Sequence, residues 1–241
     1  MVINTNISAQ SSTRLLAEST SMLSKSLARL SSGSKITSPE DDAAGLAVSM
    51  RFDAQVNRIT ATKTNVTNAI SFNQTQDGFM SKVSKSLDRM SELSILSRDV
   101  TKSDADRALY QKEFDTLGAY IDDLATKDFN GVSLFGGTTL NVTTDSDGNT
   151  FSMTGVNLAA GTYTTATAGD ISTTTGAATA LTNVKLAITQ LATDRATVGA
   201  NVTRLSYTNE QLSILRENLS AANSRIKDVD VAEESPDETT Q

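Results

Sequence analysis

The side chains that could do chemistry in this chain are few and narrow in kind. The 241-residue sequence has no His, Cys or Trp, which excludes triads with a histidine base, cysteine nucleophiles and Cys/His zinc sites. Ser, Thr, Lys, Tyr and the carboxylates remain. An alternative is a hydrolase that uses Ser, Lys or paired carboxylates such as Asp122 and Asp123. Those two carboxylates are neighbours on a predicted helix, so they point in different directions and cannot flank one substrate atom. The sequence therefore predicts no enzyme and no cofactor.

Two acidic clusters could be taken for metal sites. The first, residues 40–42, follows Ser38 and Pro39, and we interpret it as the start of a helix with Ser38 as the cap and Pro39 in the first turn. The second begins at Asp145, but the twelfth position of a calcium loop counted from there is Val156 and not Glu. Both clusters are therefore assigned to local structure, and no metal site is predicted.

Charge and hydropathy exclude two classes of partner. The net charge is −7, and 38% of the residues are hydrophobic. Nucleic acid binding needs a concentrated basic face, which this balance argues against. No apolar run reaches the ~20 residues of a membrane span, and residues 1–16 do not form a general secretory signal. The modest apolar content favours long helices with narrow apolar stripes.

Four helices are predicted from apolar spacing of three and four residues. The first covers residues 8–32 and ends at Gly33, the second covers about 40–99, the third starts at Ser103 and ends near Asn130, and the fourth starts at 181. The predicted packing residues of the first two are Leu16, Leu23, Leu27, Leu30, Val56, Ile59, Val66 and Ile70.

The fourth helix carries the clearest pattern, a seam sustained over about seven heptads, as a coiled coil requires. Its predicted packing residues include Leu191, Val198, Leu205 and Leu212, and the polar seam residues Arg195, Asn209, Arg216 and Asn223 would fix the register.

Residues 135–180 differ from the rest because they are rich in Thr and Gly and show short alternating runs. Asp147-Gly148 between two such runs predicts a β-hairpin. The predicted fold is therefore mainly α, with long helices that need each other or neighbouring subunits to bury their apolar stripes, and with a small β region in the middle of the chain.

Three segments resemble a known family. VINTNISAQ at the start and LARLSSGSKITSPEDDAAGLAVSMR at 27–51 resemble the N-terminal region of bacterial flagellins. ENLSAANSRIKDVDVAEES at 217–235 resembles the flagellin C-terminal signature, and FNGVSLFGG from Phe129 is similar to the family's passage into its outer β region.

The resemblance implies a domain plan and a function. Residues 1–34 would form an inner-core helix, and residues 135–180 an outward-facing β/loop region. The N- and C-terminal segments, residues 35–134 with 181–235, would pair as a long antiparallel coiled-coil-like helical rod. The chain would be a subunit of the flagellar filament, secreted through the flagellar export apparatus to the cell exterior. Its partners would be other flagellin subunits with the cap and junction proteins. The alternatives are a hook–filament junction protein, or a secreted rod-like module that binds surfaces.

Two further expectations follow from the comparison with the family. Flagellins continue beyond the EES motif as an amphipathic helix, whereas residues 236–241 here are PDETTQ, so the N-terminal helix is expected to lack its intrachain partner. In related flagellins an Arg, a Leu and a Glu contact the host receptor Toll-like receptor 5. The matching positions in this sequence are Arg89, Leu93 and Glu113. The alternative for these three is packing within the filament.

Overall fold

The computed structural model describes residues 7–231, and the chain divides into two compact units. Among the described residues, 7–60 with 213–231 form one, called here the terminal unit, and residues 61–212 form the other, the central unit. The predictions made for residues 1–6 and for 232–241, including the 236–241 tail, lie outside the described part of the chain. The elements in order are α1 Ile7–Ser32, α2 Ala43–Ser97, α3 Asp104–Ala125, β1 Asp128–Phe129, β2 Val132–Ser133, β3 Leu140–Thr143, β4 Thr150–Met153, α4 Thr162–Thr167 and α5 Thr174–Lys227.

In the terminal unit, α1 ends where the sequence predicts, and the two distant parts of the chain meet there. Gly33 has φ 66°, the left-handed conformation that glycine provides after a helix. The next residues then pair with the end of α5, because Lys35 N donates to Lys227 O at 2.7 Å and Val229 N donates to Gly33 O at 3.2 Å. Antiparallel backbone pairing therefore joins residues 33–35 to residues 227–229.

The start of α2 differs from the prediction. The helix begins at Ala43, with Asp42 as its cap, since Asp42 Oδ1 accepts from Gly45 N at 2.8 Å. Ser38, the predicted cap, instead opens a turn in which its carbonyl accepts from Asp41 N at 3.1 Å. The physical reason is that the Asp41 carboxylate binds the Thr37 and Ser38 amides and keeps this stretch out of the helix.

The central unit is built on one apolar core to which α2, α3 and α5 all contribute. The buried side chains include Met80, Leu87, Phe114, Ile121, Val184 and Leu191. Helix α3 begins at the predicted cap, with Ser103 and Asp106 forming a complete capping box. Phe114, Ile121 and Leu124 of α3 are buried in this core, whereas Leu109 is exposed.

Two antiparallel hairpins follow α3. The helix ends at Ala125 and not near Asn130, because Asn130-Gly131 forms the two-residue loop between β1 and β2, with φ of 52° and 78°. Positive φ at both positions fits a type I′ turn, for which Asn-Gly is preferred. The predicted hairpin around Asp147-Gly148 is confirmed, with Leu140 paired to Met153 and Thr143 to Thr150.

The segment that leads into α5 is more helical than predicted. Helix α4 was not expected, and α5 begins at Thr174 rather than at 181. Tyr163 in α4 is buried, and its hydroxyl donates to Asp194 at 2.6 Å, which connects α4 to α5. Burial, and then this hydrogen bond, raise the pKa of Tyr163. Gln111 of α3 accepts from Ile171 N at 2.6 Å. Tertiary contacts of this kind stabilise helical turns that local sequence does not specify.

None of the helices within residues 7–231 combines the length and the hydropathy needed to cross a membrane.

Candidate assembly surface

The feature of α1 that bears on function is its apolar face, called here the α1 leucine seam and formed by Leu16, Leu23, Leu27 and Leu30. None of the 26 residues of α1 is buried. Leu16 is 69% exposed, Leu23 37% and Leu27 48%, and Leu30 is half-buried. Helices of marginal intrinsic stability normally depend on tertiary packing of such a face. The seam is therefore an apolar surface that residues 7–231 leave largely uncovered.

The predicted packing residues of α2 and α5 are placed differently. Val56 and Ile70 are half-buried. Six others are buried, namely Ile59, Val66, Leu191, Val198, Leu205 and Leu212. The same kind of periodicity thus marks covered surface in α2 and α5 and uncovered surface in α1.

Polar residues of the α5 seam contact α2 in both units. In the central unit, Arg195 donates from Nε and Nη2 to the two carboxylate oxygens of Asp77 at 2.8 and 3.2 Å, and this hydrogen bonding raises the pKa of Arg195. In the terminal unit, Asn223 Nδ2 donates to Asp53 Oδ1 at 2.7 Å. Because each contact needs one particular partner, both select the antiparallel register of α2 and α5.

The three positions matched to a receptor contact differ in exposure, since Arg89 and Glu113 lie at the surface and Leu93 is buried. Arg89 donates from Nε and Nη2 to the Glu113 carboxylate at 2.7 and 3.1 Å, and its Nη1 contacts Glu92 at 2.9 Å. Arg89 and Glu113 remain about half exposed. Leu93 is completely buried in the central core. A protein that binds the chain in this conformation can therefore contact the Arg89–Glu113 pair but not the Leu93 side chain.

Two of the carboxylates singled out from the sequence, Glu113 and Asp123, are held in surface ion pairs. Hydrogen bonding to Arg89 lowers the pKa of Glu113, which keeps it ionised and paired. Asp123 contacts Lys127 one helical turn away at 3.0 Å, as a solvated surface pair would. In the described part of the chain no three carboxylates converge to hold a metal ion.

Arg107 is an important residue that sequence reasoning missed. Its buried guanidinium donates to the carbonyls of Ser97 and Asp99, both at 2.8 Å, and contacts Asp104 at 2.6 Å. It therefore satisfies carbonyls at the end of α2, where the helix dipole favours a cation. The usable signal was an Arg three residues after a helix-start Asp, although nothing in that spacing indicates burial.

A first helix whose leucine seam is largely exposed in the described part of the chain is typical of a subunit that assembles with neighbours, which complete the burial. The comparisons with known proteins agree. The family described as the bacterial flagellin N-terminal helical region matches residues 3–139, and the flagellin C-terminal helical region matches residues 181–240. The chain belongs to the bacterial flagellin family.

Individual relatives extend the match over nearly the whole chain. A flagellar filament 33 kDa core protein of Treponema phagedenis is 33% identical over 99% of this chain and 90% of its own length. A flagellin of Halalkalibacterium halodurans is 33% identical over 97% of this chain and 88% of its own. A flagellar filament core protein of Brachyspira hyodysenteriae is 34% identical over 98% of this chain and 89% of its own.

Family membership decides between the functions predicted from sequence. The chain is a structural subunit of the bacterial flagellar filament and not an enzyme, and other flagellin subunits are its partners. The junction-protein and surface-binding alternatives receive no support from these relatives.

Proposed function

We propose that the α1 leucine seam is a surface through which this flagellin is built into the filament. The observation that carries the proposal is the complete absence of buried residues in a 26-residue helix that has a regular apolar stripe. Exposed apolar surface of this extent and regularity is typical of a binding face. A neighbouring subunit that covers the seam would supply the burial that α1 lacks within its own chain.

The test places a charge on the seam and, as a control, the same charge away from it. Leu16→Asp and Leu23→Asp both alter the seam, whereas exposed Ser21 lies about 140° from Leu16 around the helix, so Ser21→Asp leaves the stripe intact. The variants are expressed as the only flagellin of a cell, and filaments sheared from the surface are quantified.

We expect the two Leu variants to be lost from filaments at an unchanged level of expression, and Ser21→Asp to be incorporated as the unchanged chain is. Normal incorporation of both Leu variants would refute the role of the seam. Failure of the unchanged chain to enter filaments would refute it as well.

Two finer parts of the function are also proposals. Export through the flagellar apparatus to the cell exterior and contact with cap and junction proteins are supported by family membership. For a host Toll-like receptor, we propose that the accessible contact is the Arg89–Glu113 pair, while Leu93 acts from beneath by supporting α2. In that case Arg89→Ala reduces receptor signalling with only the small loss of stability that follows from breaking a half-exposed ion pair, whereas Leu93→Ala reduces signalling and causes a large loss of stability.

A further inference from the structure

The Asp41 carboxylate joins two parts of the terminal unit. One oxygen, Oδ2, accepts from Thr37 N at 3.1 Å, from Thr37 Oγ1 at 2.9 Å and from Ser38 N at 3.1 Å. The other, Oδ1, lies 2.5 Å from Lys25 Nζ and 3.9 Å from Arg29 Nη2, both on α1. One carboxylate therefore links α1 to the loop that connects it to α2.

The surroundings of this carboxylate favour a fixed contact. The Asp41 side chain is only 4% exposed, whereas Lys25 is 53% exposed at its side chain. Hydrogen bonds from Lys25, and then from Thr37 and Ser38, hold the pKa of Asp41 well below its ordinary value. A carboxylate that accepts several hydrogen bonds and faces a cation stays ionised at any physiological pH.

The two cations are placed on the side of α1 that the leucines do not use. At 3.6 residues per turn, Lys25 lies about 180° from Leu16 around the helix axis, and Arg29 lies about 140° from it. A bond from Asp41 to this polar side therefore leaves the seam uncovered. Since α1 has no buried side chain, apolar packing does not fix its direction.

We propose that Asp41 is a positioning residue that holds the polar face of α1 against the α1–α2 loop and so sets the direction in which the leucine seam is presented. The contact is internal to the chain, and only its consequence for assembly rests on the proposed function of the seam. Its first test therefore uses the soluble full-length chain and does not depend on filament formation.

The test compares Asp41→Asn with Glu40→Gln, which removes a charge from the exposed neighbour. Backbone amide exchange over residues 25–38 and tryptic cleavage after Lys25, Arg29 and Lys35 are followed. We expect both rates to rise roughly 5- to 30-fold in Asp41→Asn, the change in open population that follows from losing one or two stabilising contacts. Peptides of the central unit should exchange at an unchanged rate, and Glu40→Gln should match the unchanged chain.

A second variant separates the role in the helix from the role in the loop. Lys25→Gln removes the nearer of the two cations on α1 and keeps the loop hydrogen bonds of Asp41. Cleavage after Arg29 should therefore accelerate while the Thr37 and Ser38 amides stay protected. High salt should accelerate cleavage of the unchanged chain, because the ion pair is partly exposed, and should have less effect on Lys25→Gln.

Three results would overturn the proposal. Equal behaviour of Asp41→Asn and Glu40→Gln would remove any special role of Asp41. Faster exchange at Thr37 and Ser38 with unchanged cleavage at Lys25 and Arg29 would restrict Asp41 to the loop. Faster amide exchange throughout the central unit in Asp41→Asn would show that Asp41 contributes to the stability of the whole fold and not specifically to the position of α1. None of these results bears on whether the seam enters filaments, which the Leu16 and Leu23 variants decide.

Discussion

Helix α1 and the central-unit part of α5 have similar apolar spacing and opposite surroundings. Leucines at seven, four and three residues run along α1, and none of its residues is buried. The α5 seam places Val184, Leu191, Val198 and Leu205 in the interior. A stripe of this kind specifies a helix with one adhesive side, and its burial depends on what else the chain or its neighbours bring to that side. In this flagellin the described part of the chain buries the α5 seam in the central unit and leaves the α1 leucine seam largely exposed.

The largest expected effect is a difference between two leucine truncations. Leu93→Ala empties a completely buried position in the central unit and should lower the free energy of unfolding by about 2–5 kcal/mol. Leu16→Ala removes an exposed side chain and should change it by less than ~0.5 kcal/mol. Urea denaturation followed by tyrosine fluorescence is suitable, because all four Tyr lie at positions 110, 120, 163 and 207 in the central unit. A comparable loss in both variants would mean that α1 is packed in solution.

A smaller effect is expected from alanine substitutions at two glycines that both have a positive φ angle. Gly33 has φ 66° and Gly131 has φ 78°, and in each case nothing lies within 4 Å of an added Cβ. Alanine is therefore strained by about 1–2 kcal/mol at either site, for conformational reasons alone. Gly131→Ala should lower the tyrosine-detected urea midpoint, and Gly33→Ala should leave it unchanged while reducing protection at the end of α1. Equal shifts of the urea midpoint in Gly33→Ala and Gly131→Ala would contradict this prediction and would show that the end of α1 and the central core unfold together.

The smallest effect concerns pH. The folded-state pKa of Glu113 is lowered, chiefly by Arg89, from an ordinary value of 4.5. A depressed pKa adds stability that is fully present above the unfolded value and is lost as pH falls through the folded one. The unchanged chain should exceed Glu113→Gln in unfolding free energy by less than ~1 kcal/mol at pH 7, because the ion pair is half exposed. This difference should shrink as the pH falls below 4.5 and vanish once the pH is below the lowered pKa of the folded state.

The control for the pH experiment is again in the terminal unit. Asp41→Asn also removes a paired carboxylate but should leave the tyrosine-detected transition unchanged at pH 7. A gap for Glu113→Gln that persists unaltered into strong acid would show that the substitution acts through packing and not through ionisation.

Local sequence was sufficient wherever neighbours along the chain decide the structure. The capping box of Ser103 and Asp106, the left-handed Gly33 and the Asp147-Gly148 hairpin each depend on a few consecutive residues whose conformational preferences agree. The long helices were predictable for a related reason, since apolar spacing sustained over many turns averages out local errors. The motifs at both ends of the chain also indicate the flagellin family by themselves, because each is a continuous run of residues.

Only the tertiary structure decided the properties that depend on distant residues. It buried Leu93 beneath the exposed Arg89, brought Arg107 to the end of α2, and extended α5 back to Thr174 once Tyr163 and Gln111 had anchored the segment before it. It also moved the cap of α2 from Ser38 to Asp42, because Asp41 binds the preceding loop and α1 together. Sequence periodicity gives the direction of a side chain around its own helix, whereas contacts between distant segments determine which side is covered.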